Sequence, residues 1–260
     1  MKTPQTLFLA WLDPNSRFWF PIGRLTFDGT KYKFVYTQGV KEAQQKCNFE
    51  PLSSFPHLDR VYTSTQLFPV FSNRLLPRSR PDYASFLQWL NIPEHEEDPI
   101  AVLARSGGQR ETDTLAVFPC PKPDEAGRYQ LHFFAHGLRH LPRCAIERIN
   151  RFEPEEKLWL AHEFQNPYDP QALILNTEDH HIVGYCPRYL LSEVFEQLMR
   201  DPTSVDLRVE RVNLPPTPLQ FRLLCNITTQ CEDDFRPFSS QEYQPLVEED
   251  VATASFLSPA

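Results

Sequence analysis

Residues 164–190 read FQNPYDPQALILNTEDHHIVGYCPRYL. Asn166-Pro167-Tyr168-Asp169-Pro170 joins two prolines, whose rings fix φ, to an Asn and an Asp, whose side chains bond their own backbone. It predicts a rigid polar turn with an aromatic ring on it. An apolar run over 172–175 follows, then an acidic and His-containing turn, then Ile182-Val183-Gly184-Tyr185 and Cys186-Pro187-Arg188. This pattern predicts a β-hairpin whose loop ends carry two tyrosines, an Asp and an Arg. Those are the residue types that hold a nucleic-acid strand or its terminus. The turn also has a purely structural reading, in which Asn166 and Asp169 only satisfy backbone donors. Gly184 reads as structural, and His180 and His181 as solvated turn residues.

The elements that must position this hairpin are short. The chain has 260 residues, enough for two modest domains, with 25 prolines against 8 glycines. Proline breaks helices and is confined to strand edges, so fixed loops and brief strands are expected. The segment Pro119-Cys120-Pro121-Lys122-Pro123-Asp124, with Gly127, reads as a linker. Before it, residues 7–12, 18–25 and 32–36 read as strands of a small antiparallel sheet, with Asp28-Gly29 as a hairpin turn. Residues 83–90 carry apolar side chains at helical spacing, and 100–103 suggests a second short helix. After the linker, strands are expected over 129–135, 156–163, 173–175 and 183–185, then a helix over 189–199. A closing hairpin of 206–212 and 219–227 follows. That order suits a small OB-like or SH3-like barrel. The fold class is therefore α+β and mostly β: an antiparallel-sheet domain with short helices, then a β-barrel with one helix. The divisions are 1–119, a linker at 120–128, 129–235, and an acidic, loosely attached tail at 236–260.

Net charge is −8, which argues against coating duplex DNA through bulk electrostatics. Charge is uneven, however. Arg128, Arg139, Arg143, Arg148 and Arg151 cluster, whereas acid collects at 94–97 and from Glu232 to Asp250. The six cysteines (Cys47, Cys120, Cys144, Cys186, Cys225, Cys231) include no CxxC pair, so free thiols in a reducing compartment are expected rather than zinc. No stretch reaches membrane-spanning length, and 7–12 is too short for a signal sequence. A cytoplasmic protein is expected. Hydrolase and phosphotransfer motifs are missing. No Gly-x-Ser-x-Gly or Gly-rich phosphate loop is present, and His162-Glu163 lacks the second His of the zinc hydrolase motif. No enzyme activity, cofactor or metal is expected.

Two family resemblances add to this reading. Residues 129–230 resemble HIRAN domains on three motifs in order: Phe134-Ala135-His136-Gly137-Leu138-Arg139-His140, Asn166-Pro167-Tyr168-Asp169, and Val183-Gly184-Tyr185-Cys186-Pro187-Arg188. The resemblance implies a small barrel that grips a single-stranded DNA 3′ end. Tyr168 would stack on a base, a contact worth about 1–3 kcal/mol. Asp169 would accept from a terminal hydroxyl, Arg139 would contact phosphate or a base edge, and Tyr185 and Arg188 would flank the strand. Arg139 has an alternative role, an ion pair with Asp169 or Glu163. His140 stands where the family has an aromatic partner for Tyr168.

Residues 7–119 resemble the N-terminal subdomain of HipA-type serine/threonine kinases. The resemblance rests on Ile22-Gly23-Arg24-Leu25, Tyr32-Lys33-Phe34-Val35-Tyr36, Pro51-Leu52-Ser53 and Pro69-Val70-Phe71-Ser72-Asn73-Arg74-Leu75-Leu76-Pro77. The kinase core itself has no counterpart here. The two resemblances together imply a non-catalytic bacterial antitoxin that restrains a HipA-like kinase lacking this subdomain. It would dock through Phe68, Phe71, Leu75 and Leu76, while its HIRAN half binds operator DNA or a DNA end. A different class of reading is a stand-alone nucleic-acid-binding protein of repair or phage defence, in which 68–76 is ordinary core.

Overall fold

The computed structural model describes residues 5–93, 97–110, 112–230 and 236–247. Two compact units share the chain. The first takes residues up to Arg80, Glu97–Cys120 and those from Phe238 on; the second takes Pro81–Glu96 and Pro121–Pro237. Of the linker segment expected at 120–128, Cys120 belongs to the first unit and 121–128 to the second. Asp124 makes a turn there, its carboxylate accepting from the amides of Ala126 and Arg128, both at 2.9 Å.

In the first unit, β1 (Gln5–Leu12), β2 (Trp19–Phe27), β3 (Tyr32–Tyr36), β4 (Tyr62–Ser64) and β5 (Leu115–Pro119) form one antiparallel sheet in the order β4-β3-β2-β1-β5. Asp28 shapes the turn between β2 and β3 by accepting from the amides of Thr30 and Lys31 at 2.8 and 2.9 Å. One sheet face buries Leu7, Leu9, Ile22, Leu25, Phe34 and Tyr36. Four helices belong to the protein's N-terminal half: α1 (Gly39–Cys47), α2 (Pro69–Ser72), α3 (Tyr83–Trp89) and α4 (Pro99–Ser106). The sequence explains the bounds of α4 well. Asp98 caps it by accepting from Ala101 N at 2.9 Å, Pro99 opens it, and Gly107 ends it in the left-handed conformation.

Three expectations need correcting here. Phe68 and Phe71 are core rather than docking surface. Phe34 stacks on Phe55 at 3.9 Å, Phe68 meets Phe55 at 5.1 Å, and Phe71 meets Phe34 at 6.0 Å. Leu75 and Leu76 are half-buried, with Leu75 packed on the same core. The segment after Arg236 is not loose as far as it is described. Phe238 and Tyr243 are buried against Phe8 and Phe118, and Leu246 N donates to Tyr36 O at 2.7 Å. Phe8 and Phe118 face each other across β1 and β5. They leave an apolar patch on the second sheet face, and these two rings cover it. The acidic end from 248, the residues Glu94 to Glu96 and Cys231 lie outside the described residues. Finally, the second unit carries more than one helix.

That unit contains β6 (Arg128–Phe134), α5 (Arg143–Ile149), β7 (Lys157–His162), β8 (Leu173–Asn176), β9 (Ile182–Tyr185), α6 (Leu191–Arg200), β10 (Asp206–Val212) and β11 (Leu223–Gln230), and α3 joins it. The six strands form one antiparallel sheet in the order β6-β11-β10-β7-β8-β9. Alternate residues Tyr129, Leu131 and Phe133 point inward with Leu158, Leu173, Leu175, Val183, Leu207 and Val209. The sheet then closes on itself. Just beyond β6, Ala135 N still donates to Leu223 O at 2.9 Å, but His136 pairs with Tyr185 of β9. This bridge ties the two ends of the curled sheet together at one point. The helix α6 is tied to the barrel by Tyr129, whose hydroxyl donates to the buried Glu193 carboxylate.

The helix α3 packs on this barrel through Phe221, whose ring lies 5.6 Å from Phe86, 6.2 Å from Trp89 and 5.2 Å from Phe134. Asn213 Nδ2 donates to Trp89 O at 3.0 Å, and Asn91 Nδ2 donates to Glu210 at 2.8 Å. Phe221→Ala should destabilise the second unit by about 2–3 kcal/mol, somewhat less than truncating a fully buried Phe. Hydrogen exchange checks this: amides of α3 should lose protection, while those of β1 and β2 keep theirs.

Candidate nucleic-acid interface

The loop between β7 and β8 is held from within. Asn166 Oδ1 accepts from the amides of Tyr168 and Asp169 at 2.9 and 3.0 Å, which is the Asx turn its sequence predicts. Asn166 Nδ2 donates to Glu163 Oε2 at 2.5 Å. Asp169 Oδ1 accepts from Gln171 N at 3.0 Å, and His162 Nε2 meets Pro170 O at 2.7 Å. All this bonding leaves the Tyr168 side chain free of the fold. The residue is 82% exposed, and among the described residues its ring touches no other aromatic ring.

The barrel closure brings a second segment to the same place. His136 N donates to Tyr185 O at 2.9 Å and Tyr185 N donates to His136 O at 3.0 Å. Gly137 follows with φ +78°, and a Cβ there would stand 2.7 Å from the Tyr185 ring, so both conformation and space require glycine. The tight turn Leu138–His140 comes next and presents Arg139 and His140 to solvent. Arg139 Nε donates to His140 Nε2 at 2.9 Å.

Asp169 and Glu163 have partners other than Arg139. Asp169 Oδ2 accepts from Arg188 Nε at 2.8 Å, and a second Arg188 nitrogen donates to Tyr168 O at 2.8 Å. Glu163 receives Asn166 and sits beside the Tyr185 hydroxyl, whose pKa is raised by burial and by that carboxylate. Most of the arginine cluster is similarly engaged. Arg128 pairs with Asp124, Arg143 with Glu147, and Arg148 with Glu156 and Asp179. Among the described residues Arg139 and Arg151 have no carboxylate partner.

Five of the seven residues picked from sequence are thus linked by side-chain contacts: Tyr185 reaches Glu163, and Glu163 holds Asn166. Asn166 sets Tyr168 and Asp169, and Arg188 closes the chain back from Asp169. Arg139 and His140 bond each other on the turn that Gly137 begins beside the Tyr185 ring. One residue was missed. Phe164 is 81% exposed in the same loop, its ring 4.1 Å from that of His162, which in turn lies 5.3 Å from Phe195 of α6. In the sequence it directly precedes the turn and follows no motif, so only its position in a loop between two strands signalled exposure.

A family model for the HIRAN domain matches residues 129–232. Residues 129–232 are a HIRAN domain. HIRAN domains are nucleic-acid-binding domains. Among solved structures, the HIRAN domain of human HLTF is similar at 17% identity, covering 42% of this chain and 84% of that one, with a TM-score of 0.29. A protein from Lactobacillus plantarum is similar at 18% identity, covering 40% of this chain and 100% of that one, also with a TM-score of 0.29. At such scores neither structure bears on the details of this site. No curated protein matches the chain. Among the described residues no helix is long and apolar enough to cross a membrane.

The closing strand of the HIRAN domain carries a titratable ring. Burial, aided by the nearby Arg188 charge, lowers the His136 pKa from 6.5 to about 4. An unfolded chain therefore binds a proton at His136 between these values that the folded chain does not. Stability from this group is full above about pH 6.5 and is lost as pH falls toward 4. In urea unfolding across that window, His136→Asn should show a shallower decline of stability with falling pH than the parent protein. Parallel declines in the two proteins would count against this assignment.

Proposed function

We propose that the HIRAN domain of this chain binds the end of a single-stranded nucleic acid. The observation that carries this is the Tyr168 ring, almost wholly exposed on a turn whose backbone is fixed by Asn166. A ring held ready in water gains on stacking with a base and loses little conformational freedom in doing so. Asp169 accepts from a terminal hydroxyl beside it, Arg139 reaches a phosphate, and His140 offers a second, smaller ring. Phe164 adds apolar surface within the same loop. The role is binding rather than catalysis, and the chain's acidity restricts it to a local grip instead of duplex coating.

A finer reading concerns the first unit. By its resemblance to the N-terminal subdomain of HipA-type kinases, we propose that it restrains a HipA-like kinase lacking that subdomain, which would make the chain a cytoplasmic antitoxin subunit. With Phe68 and Phe71 committed to the core, Leu75 and Leu76 are the apolar side chains of that segment left to contribute. The burial of those two phenylalanines favours the simpler alternative, a stand-alone nucleic-acid-binding protein of repair or phage defence. Co-purification from the native host separates the two: a kinase recovered in stoichiometric amount supports the antitoxin, and nucleic acid or repair proteins alone reject it.

For the binding itself, Tyr168→Ala should weaken affinity for a single-stranded oligonucleotide at least tenfold, about 1.4 kcal/mol, the loss of one stacked base. Blocking the oligonucleotide's 3′ hydroxyl should weaken the parent protein as well. Fluorescence anisotropy with free and blocked oligonucleotides measures both, and equal affinity in all combinations would reject end binding.

A further inference from the structure

We infer that Arg188 is a positioning residue that fixes the Tyr168 turn, and that it does not contact the bound strand. The inference rests on the nucleic-acid-binding reading of the same site. Its basis is where the guanidinium is spent. Nε donates to Asp169 Oδ2 at 2.8 Å and Nη2 donates to Tyr168 O at 2.8 Å. The Arg188 side chain is 28% exposed and that of Asp169 is 15% exposed, so the pair is largely withdrawn from water. A planar fork that meets a carboxylate with one edge and a carbonyl with another sets the distance and angle between them.

The two partners are consecutive residues at the tip of the turn, while Arg188 stands just after Pro187 on the rigid exit from β9. Arg188 therefore ties the exposed end of one loop to the closed barrel wall. Turning the guanidinium toward a phosphate would leave a mostly buried carboxylate and a carbonyl without this donor, which costs more than a solvent-exposed phosphate contact returns. The cation available to a strand is Arg139, exposed, bonded to the His140 ring and, among the described residues, to no carboxylate. By this division of labour Arg139 supplies charge and Arg188 supplies shape.

The two roles predict different salt dependence. A residue that neutralises one phosphate contributes about 0.7 to the slope of log affinity against log salt for single strands. Arg188→Ala should weaken binding to a single-stranded oligonucleotide fivefold or more with the slope unchanged, while Arg139→Ala should lower the slope by about 0.7. Arg188→Lys keeps the charge but not the fork, and should bind as weakly as Arg188→Ala. A lowered slope in Arg188→Ala, or parental affinity in Arg188→Lys, would overturn the inference. A ligand-free arm stands apart from the functional reading: in Arg188→Lys, exchange of the amides over 168–172 should quicken at least fivefold, with the β-strand amides unchanged as a control for folding. Unaltered exchange there removes the tether even if the strand binds. Failure of the parent protein to bind any oligonucleotide, with exchange altered as expected, would reject the binding reading and leave the tether in place.

Discussion

The paired hydrogen bonds between His136 and Tyr185 join the first and last strands of the second sheet, and the candidate site exists because they do. They pair the chain just beyond β6 with the last residue of β9, at one point between the two end strands of the curled sheet. With them, the turn that bears Arg139 and His140 lies against the strand that leads to Arg188. Two glycines permit the approach. Gly137 leaves room for the Tyr185 ring, and Gly184, at φ +148°, leaves room for the Ala135 side chain. The closing residues are thus also the residues that bring three separate motifs together.

Electrostatics explain how an acidic chain can hold a site for an anionic partner. The net charge of −8 is a sum over the whole sequence, whereas a strand end meets only its nearest groups. Around the Tyr168 turn the carboxylates are occupied, Asp169 by Arg188 and Glu163 by Asn166 and Tyr185. Pairing damps their repulsion of phosphate, and among the described residues the exposed Arg139 has no carboxylate partner.

Much of this was legible in the sequence, and the reasons differ by element. The strands β1 to β3 and β6 to β11 announce themselves by alternation and by turn residues such as Asp28-Gly29 and the Asn166 turn. The helices α1 and α5 did not. Gly39, Val40 and Ala43 are the buried residues of α1 and Ala145 and Ile149 those of α5, too few and too small to produce a clear apolar stripe. The Asn166 turn was readable because residue type and spacing carry its hydrogen bonds. The partner of Asp169 was not, since nothing local tells whether it meets Arg139 or Arg188. Nor can local sequence say whether a phenylalanine such as Phe71 faces water or Phe34, because that depends on strands 35 or more residues away.

The assignment of α3 to the second unit and of the 238–246 segment to the first makes the two units interleave along the chain. During synthesis the first unit cannot complete itself when its sheet has emerged, because Phe8 and Phe118 stay uncovered until Phe238 and Tyr243 arrive, about 120 residues after Phe118. The second waits in the opposite sense, with α3 made early and Phe221, on which it packs, made some 130 residues later. Neither unit can therefore be released intact by one cut, and a break placed at the proline-rich segment near 120 would strip each of a part it needs.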